Sequence, residues 1–280
     1  MLDTDVRNYY HWRFGDIYYT KKGKGSPILL IHDMLPGGSG YEWGKIEDDL
    51  ALEHTVYNLD LPGCGRSEKP GMTYTNFVYV QMISDFIKKI IGQKTDVIAS
   101  GFSGSFVTMA CHNEKELFNK IMLVNPPSLT QLKQMPNRKD RLLKAALEIP
   151  IFGTLVYHMI VSRDNINNLF IEKMYYNPFH VDNQMADAYY EAAHKGGYYT
   201  RFLYSSLAAK YININICHAL KALDNSIYIV EGETEPNGKA VTDDYCASNP
   251  AIEVSVLKET KHLPHVEAPE AFLEQVKIFF

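Results

Sequence analysis

Apolar residues in the first half of the chain fall in short unbroken runs, and each run ends at a loop. Residues 27–32 read PILLIH, 95–100 TDVIAS and 120–127 KIMLVNPP. Such runs, with no polar residue at every second place, predict strands buried on both faces of a parallel sheet. HTVYNLD at 54–60 adds a further strand. Between these lie helical stretches at 41–52, 77–91 and 105–114, with Gly92 placed to cap the second. The alternation predicts an α/β fold: an open, mostly parallel sheet with helices on both faces. Ligands of such sheets bind beyond the carboxyl ends of the strands, and IHDM, NLDLPG, ASGFSG and VNPP all sit at such ends.

The pattern then changes. Residues 128–218 are helical in spacing and rich in Tyr, Met, Asn and His. Strand signals return at 226–233 (SIYIVEGE) and 252–259 (IEVSVLKE), and PEAFLEQVKIFF (269–280) closes as an amphipathic helix. The expected organisation is a core of residues 1–127 and 219–280 interrupted by a helical cap, or lid, at 128–218.

Composition narrows the function classes. A net charge of -5 over 280 residues argues against nucleic acid or an anionic membrane surface as the main partner. The densest cationic cluster, Lys21, Lys22 and Lys24, reads as a solvated turn. No apolar run approaches the roughly 18 residues of a membrane span. The N-terminal MLDTDVRNYYHWRF has no basic segment followed by an apolar one, so no secretory leader is expected. Cys64, Cys111, Cys217 and Cys246 are scattered without a CxxC pair, which points to reduced thiols and a cytoplasmic location. GSGYEWGK (38–45) fails as a phosphate loop: Ser39 replaces a required glycine and Ile46 the magnesium-binding hydroxyl. GCGRSE (63–68) lacks the third glycine of a dinucleotide fingerprint. His262 and His265 have no HExxH frame, so zinc is not expected. No cofactor or metal is implied, and the partner expected is a small-molecule substrate.

One stretch carries candidate chemistry. IASGFSGSF (98–106) places Ser103 between a buried strand and a helix, with Gly101 and Ser105 as small residues on either side. A serine on a sharp strand-to-helix turn is the layout of a nucleophile elbow. The alternative is a plain Gly/Ser turn. A serine hydroxyl needs a base, a group to orient that base, and donors for the oxyanion.

The motif series along the chain resembles the α/β-hydrolase family, its capped serine esterase-like members in particular. PILLIHDML resembles the strand and His-Gly that open the oxyanion loop, with Asp33 where glycine is usual. DLPGCGRSEKP (60–70) is similar to the family's Asp-x-Pro-Gly-x-Gly-x-Ser loop. IYIVEGETEP (227–236) is similar to the strand that ends before the acid, and KHLPHVEAPEAF (261–272) to the block holding the catalytic histidine. The resemblance implies a triad of Ser103 as nucleophile, His262 as base and Glu235 as acid, with the backbone N–H groups of Gly104 and Met34 as the oxyanion hole. Glu233 is an alternative acid, uncharged Asn125 a poor one; His265 and His32 are expected to be structural.

Two residues bear on the mechanism. Asp33 inside the oxyanion hole would oppose the charge forming there, so it is expected to point away or bond within its loop. Relatives that open epoxides or displace halide carry aspartate as nucleophile, so Ser103 favours acyl transfer, and Phe102 is expected to pack. The insertion's tyrosines and few charges, Arg163 and Arg201 apart, suggest a small to medium, mostly apolar ester. Thioester, lactone, C–C bond and N-terminal peptide hydrolysis share the same machinery, and a non-catalytic ligand-binding protein on this fold is the competing class.

Overall fold

The structure, a computed structural model, describes residues 6–280, with side chains from residue 8. The first five residues of the leader expectation therefore lie outside the described residues. Eight strands form one sheet: β1 (Val6–Trp12), β2 (Gly15–Lys22), β3 (Ser26–Ile31), β4 (His54–Leu59), β5 (Thr95–Ser100), β6 (Phe118–Val124), β7 (Ile227–Gly232) and β8 (Glu253–Leu257). Their order across the sheet is β1-β2-β4-β3-β5-β6-β7-β8. The first three neighbours pair antiparallel, and every pair from β4 to β8 is parallel.

Period-two alternation explains why the central runs are apolar throughout. Leu29 and Ile31 of β3 join one core cluster while Ile28 and Leu30 join the other, on the opposite face. The same split divides Val97 and Ala99 from Ile98, and Ile121 and Leu123 from Met122 and Val124. Phe86 of the helix Asn76–Phe86 and Phe106 and Val107 of the helix Ser103–Asn113 pack in the first cluster. Phe272 and Val276 of the helix Pro269–Phe279 pack in the second.

Three expectations change. The 41–52 helix is broken into Gly40–Trp43 and Glu47–Leu50. The helix beginning at Asn76 ends at Phe86 and widens over Ile87–Ile91 into a turn closed by left-handed Gly92. Residues 6–22 form a hairpin that the apolar pattern did not announce, and Lys21 and Lys22 lie on its second strand rather than in a turn.

Between β6 and β7 the described chain is helical. Tyr157, Phe170, Met185 and Tyr189 form a separate core there, joined by Leu263 and Val266 from beyond β8. Leu203, Ile212 and Ile216 instead pack into the main core.

β3 and β5 are neighbours, yet β4 lies on the far side of β3. The chain thus leaves the ends of β3 and β5 in opposite directions. This opens a crevice at their carboxyl ends, the usual ligand position in such sheets.

Candidate active site

The turn after β5 is built on Gly101, which follows the last strand residue, Ser100, directly. Gly101 has φ +51, the left-handed region that glycine enters at no steric cost. The helix begins two residues later at Ser103. Gly104 lets that helix lie close on β6, where an added Cβ would stand 3.0 Å from the Leu123 side chain.

This places the apex of the elbow at Gly101, not at the predicted nucleophile. Ser103 is fully buried in the first helical turn, and its hydroxyl donates to the His32 carbonyl at 2.6 Å. It is not among the residues lining the cavity beyond the strands. The predicted Gly104 amide is also turned away, donating to Gly101 O at 3.2 Å. The amides that converge at the elbow are those of Met34, expected in the oxyanion hole, and of Phe102, whose ring packs against Phe106 and the main core.

Both donate to the same atom. Asp33 Oδ1 accepts from Met34 N and from Phe102 N, each at 2.7 Å. The carboxylate bonds within its own loop at Met34 N, one of the two expected arrangements, but it does not turn away: through Phe102 N it also reaches across the elbow into the position expected of an oxyanion. Gly101 makes room for it: a Cβ on Gly101 would fall 2.1 Å from Asp33 Oδ1. Two backbone donors offset the cost of burying this carboxylate.

The other carboxylate oxygen faces the histidine. His262 Nε2 lies 3.1 Å from Asp33 Oδ2, and His262 Nδ1 lies 3.2 Å from Glu235 Oε1. Burial acts to lower the imidazole pKa, but hydrogen bonds and charge from Asp33 and Glu235 outweigh it and raise it to about 10. His262 is accordingly an imidazolium near neutral pH, held between two carboxylates. Glu233 faces elsewhere, accepting from Glu259 N at 3.0 Å.

Neighbouring polar residues hold this frame. Asn125, with φ 44, donates to the carbonyls of Lys261 and His262 and accepts from Gly232 N. It fixes the histidine loop to the ends of β6 and β7. His32 bonds the carbonyl of Asp33 and accepts from Leu61 N at 3.0 Å. Asp33 N donates to Glu42 Oε2, and Glu42 Oε1 lies 3.2 Å from His265 Nε2 in the core. His262 and His265 thus turn to different carboxylates and share no ligand position.

Asp33, Phe102, Glu235 and His262 open on a cavity of about 510 Å³, with Leu169 and Met174 of the insertion on its wall. Its size is that of a site for a small to medium ligand, and Glu172, Lys173, Glu231 and Lys261 also line it. Arg163 and Arg201 do not line it. Arg163 pairs with Asp187 at the surface, and Arg201, buried rather than exposed, bonds the backbone at Tyr198 and Glu148.

Comparison with known proteins adds a family. The model of the alpha/beta hydrolase family matches residues 28–275. Among curated proteins, the chain is 29% identical over 116 residues to a 2-hydroxy-6-oxo-6-(2'-aminophenyl)hexa-2,4-dienoic acid hydrolase of Metapseudomonas resinovorans, covering 40% of this chain and 39% of that protein. It is 26% identical over 109 residues to a soluble epoxide hydrolase of Corynebacterium sp. (strain C12), covering 39% and 37%. The chain thus aligns with only about two fifths of the length of these relatives. Two solved structures share the fold over nearly the whole chain. The serine hydrolase CarC, involved in carbazole degradation, has TM-score 0.79 at 17% identity, covering 99% of this chain and 98% of that one. The epoxide hydrolase CorEH has TM-score 0.80 at 16% identity, covering 99% of both.

Proposed function

This chain belongs to the alpha/beta hydrolase family, and from that premise we propose that it is a hydrolase whose nucleophile is Asp33, opening an apolar epoxide to a diol. The carrying observation is the Asp33 carboxylate, with Oδ1 on two backbone amides and Oδ2 against His262, above a glycine that leaves it space. A carboxylate attacking an ester carbonyl would form an anhydride. Attack on a saturated carbon forms an alkyl ester, which water can cleave. Ester hydrolysis by Ser103 would need its hydroxyl released from His32 O and Asp33 moved out of the amide pair, so the observed arrangement favours alkyl transfer.

In the first step Asp33 Oδ2 bonds to an epoxide carbon and the carbon–oxygen bond breaks. The electron pair passes to the epoxide oxygen, which takes the Nε2 proton of imidazolium His262. Esterified Asp33 has lost its charge, so the His262 pKa falls and neutral Nε2 becomes a base. It takes a proton from water as the hydroxide attacks Asp33 Cγ. The charge on Oδ1 is then held by the Met34 and Phe102 amides. Collapse breaks the Cγ–O bond, the departing alkoxide takes the proton from His262, and the regenerated carboxyl returns a proton to His262. One water is consumed and one diol released. Glu235 orients the imidazole throughout. Residues 128–218 act as the lid, with Leu169 and Met174 excluding water. An epoxide needs a proton donor, which His262 supplies. A halide would need N–H donors of its own, and Trp12 and Trp43 both lie outside the cavity. The similarity to a soluble epoxide hydrolase supports the same reading.

The test is a single turnover of an aryl epoxide in ¹⁸O-water. The expected first-turnover diol is unlabelled, with ¹⁸O appearing in the peptide that contains Asp33. A labelled first-turnover diol overturns the proposal. So does an ester, thioester or lactone substrate whose hydrolysis is lost in Ser103→Ala and kept in Asp33→Asn.

A further inference from the structure

The insertion carries a large apolar surface that the described residues leave exposed. The helices Arg138–Glu148 and Pro150–Ile160 meet at 97°. Their corner is fixed: a Cβ on Gly153 would fall 1.8 Å from Leu147 O, and the Arg201 guanidinium bonds Glu148 O from below. The second helix turns Tyr157 inward to the insertion's own core. Its other face shows Ile151, Phe152, Leu155 and Met159, with Ile151 78% and Leu155 65% exposed. These positions are one and four residues apart and so share one side of the helix. Leu142 and Ile149 continue the surface from the first helix, Leu142 being 71% exposed.

The exposed charge at the first-helix end of this surface is of one sign, while exposed Asp164 lies beyond the far end of the second helix. Arg138, Lys139 and Arg141 stand exposed in the first turn of the first helix, and Lys133 is exposed just before it. The nearby acids are engaged: Asp140 is buried against Lys210, and Glu148 pairs with Lys144. The net charge of -5 therefore hides a local cationic edge, and the expectation against an anionic membrane surface rested on that total.

We infer that this corner of the insertion rests on the surface of an anionic lipid bilayer, apolar side chains in the acyl boundary and the cations among the headgroups. Apolar residues flanked by Lys and Arg are the composition of interfacial helices, and contiguous exposed apolar patches mark interaction surfaces. Gln131, two residues before Lys133, lines the cavity, so the cationic edge, though not the corner itself, lies close in sequence to the wall of the site. The contact is interfacial; no single helix among the described residues is long and apolar enough to cross a membrane. The inference is independent of the reaction proposed above.

The experiment is co-sedimentation of the full chain with phosphatidylcholine vesicles, with and without about one third phosphatidylglycerol, beside analytical ultracentrifugation of the protein alone. At least tenfold stronger binding to the anionic vesicles is expected, weakened by high salt. Phe152→Ser with Leu155→Ser, and separately Arg138→Glu with Arg141→Glu, should each reduce binding at least tenfold. Both alter exposed side chains, and unchanged circular dichroism melts would show the fold intact. Equal binding to neutral vesicles, no binding to either, or a dimer dissolved by the Phe152/Leu155 variant overturns the inference.

Discussion

Asp33 and His262 are set against each other by opposite charge, so their energetics are coupled. The imidazole titrates near 10 because two carboxylates face it. An unfolded histidine titrates near 6.5. The stabilisation is therefore full below about pH 6.5 and is lost as pH rises through about 10. Asp33→Asn keeps the side chain's shape and removes one charge. The His262 titration followed by NMR should then fall well below 10, and the melting temperature should decline less between pH 6.5 and 10 than in the parent. On the proposed mechanism, activity of the same variant should drop at least about 1000-fold, because the proposed nucleophile is removed; its kcat decides. Ser103→Ala separates the two residues. Losing a buried hydrogen bond to His32 O should cost roughly 1–3 kcal/mol in denaturant unfolding, with kcat within a few-fold of the parent.

At the scale of elements, the elbow shows how a motif can be placed two residues from the turn's apex. Ser103 lies in the right strand-to-helix segment. A turn that leaves a buried strand sharply puts its left-handed residue directly after the strand, and that residue is Gly101. The signal was present in the sequence: TDVIAS ends at Ser100, and glycine follows at once. Asp33 in place of a usual glycine was the second sign, legible as a departure but not in its direction. The two residues fit one space. Gly101→Ser alone should destabilise the protein, because its Cβ would meet Asp33. The double change Gly101→Ser with Asp33→Gly clears that space and leaves the Met34 and Phe102 amides free. It should lose epoxide opening and gain hydrolysis of an aryl ester, measurable with a chromogenic acetate. The β1–β2 hairpin was missed for a different reason. Tyr10, Trp12, Ile17 and Tyr18 are buried and Tyr9 is exposed, so aromatic residues stand on both faces and blur the apolar/polar alternation that marks a strand.

Across the molecule, stability is distributed unevenly. β3, β5 and β6 are covered on both faces and flanked by other strands. The insertion has its own smaller core and an exposed outer helix. Hydrogen exchange followed by mass spectrometry should be slowest in those three strands and at least tenfold faster in Pro150–Ile160, a consequence of the fewer buried contacts there.

The sequence by itself determined the strands of the parallel sheet, the helical insertion between β6 and β7, and a histidine and an acid after the last two strands. Those features follow from local periodicity and turn chemistry, which each segment carries whatever its surroundings. Which group faces His262 was decided only by tertiary structure. Asp33 meets the Phe102 amide across 69 residues of chain, because β3 and β5 are neighbours in the sheet. Within each loop, a shift of one or two residues along the turn sends a side chain into the core or into the cavity. That choice buried Ser103, left Gly101 bare at the apex, and placed a carboxylate where the spacing of small residues had suggested a hydroxyl.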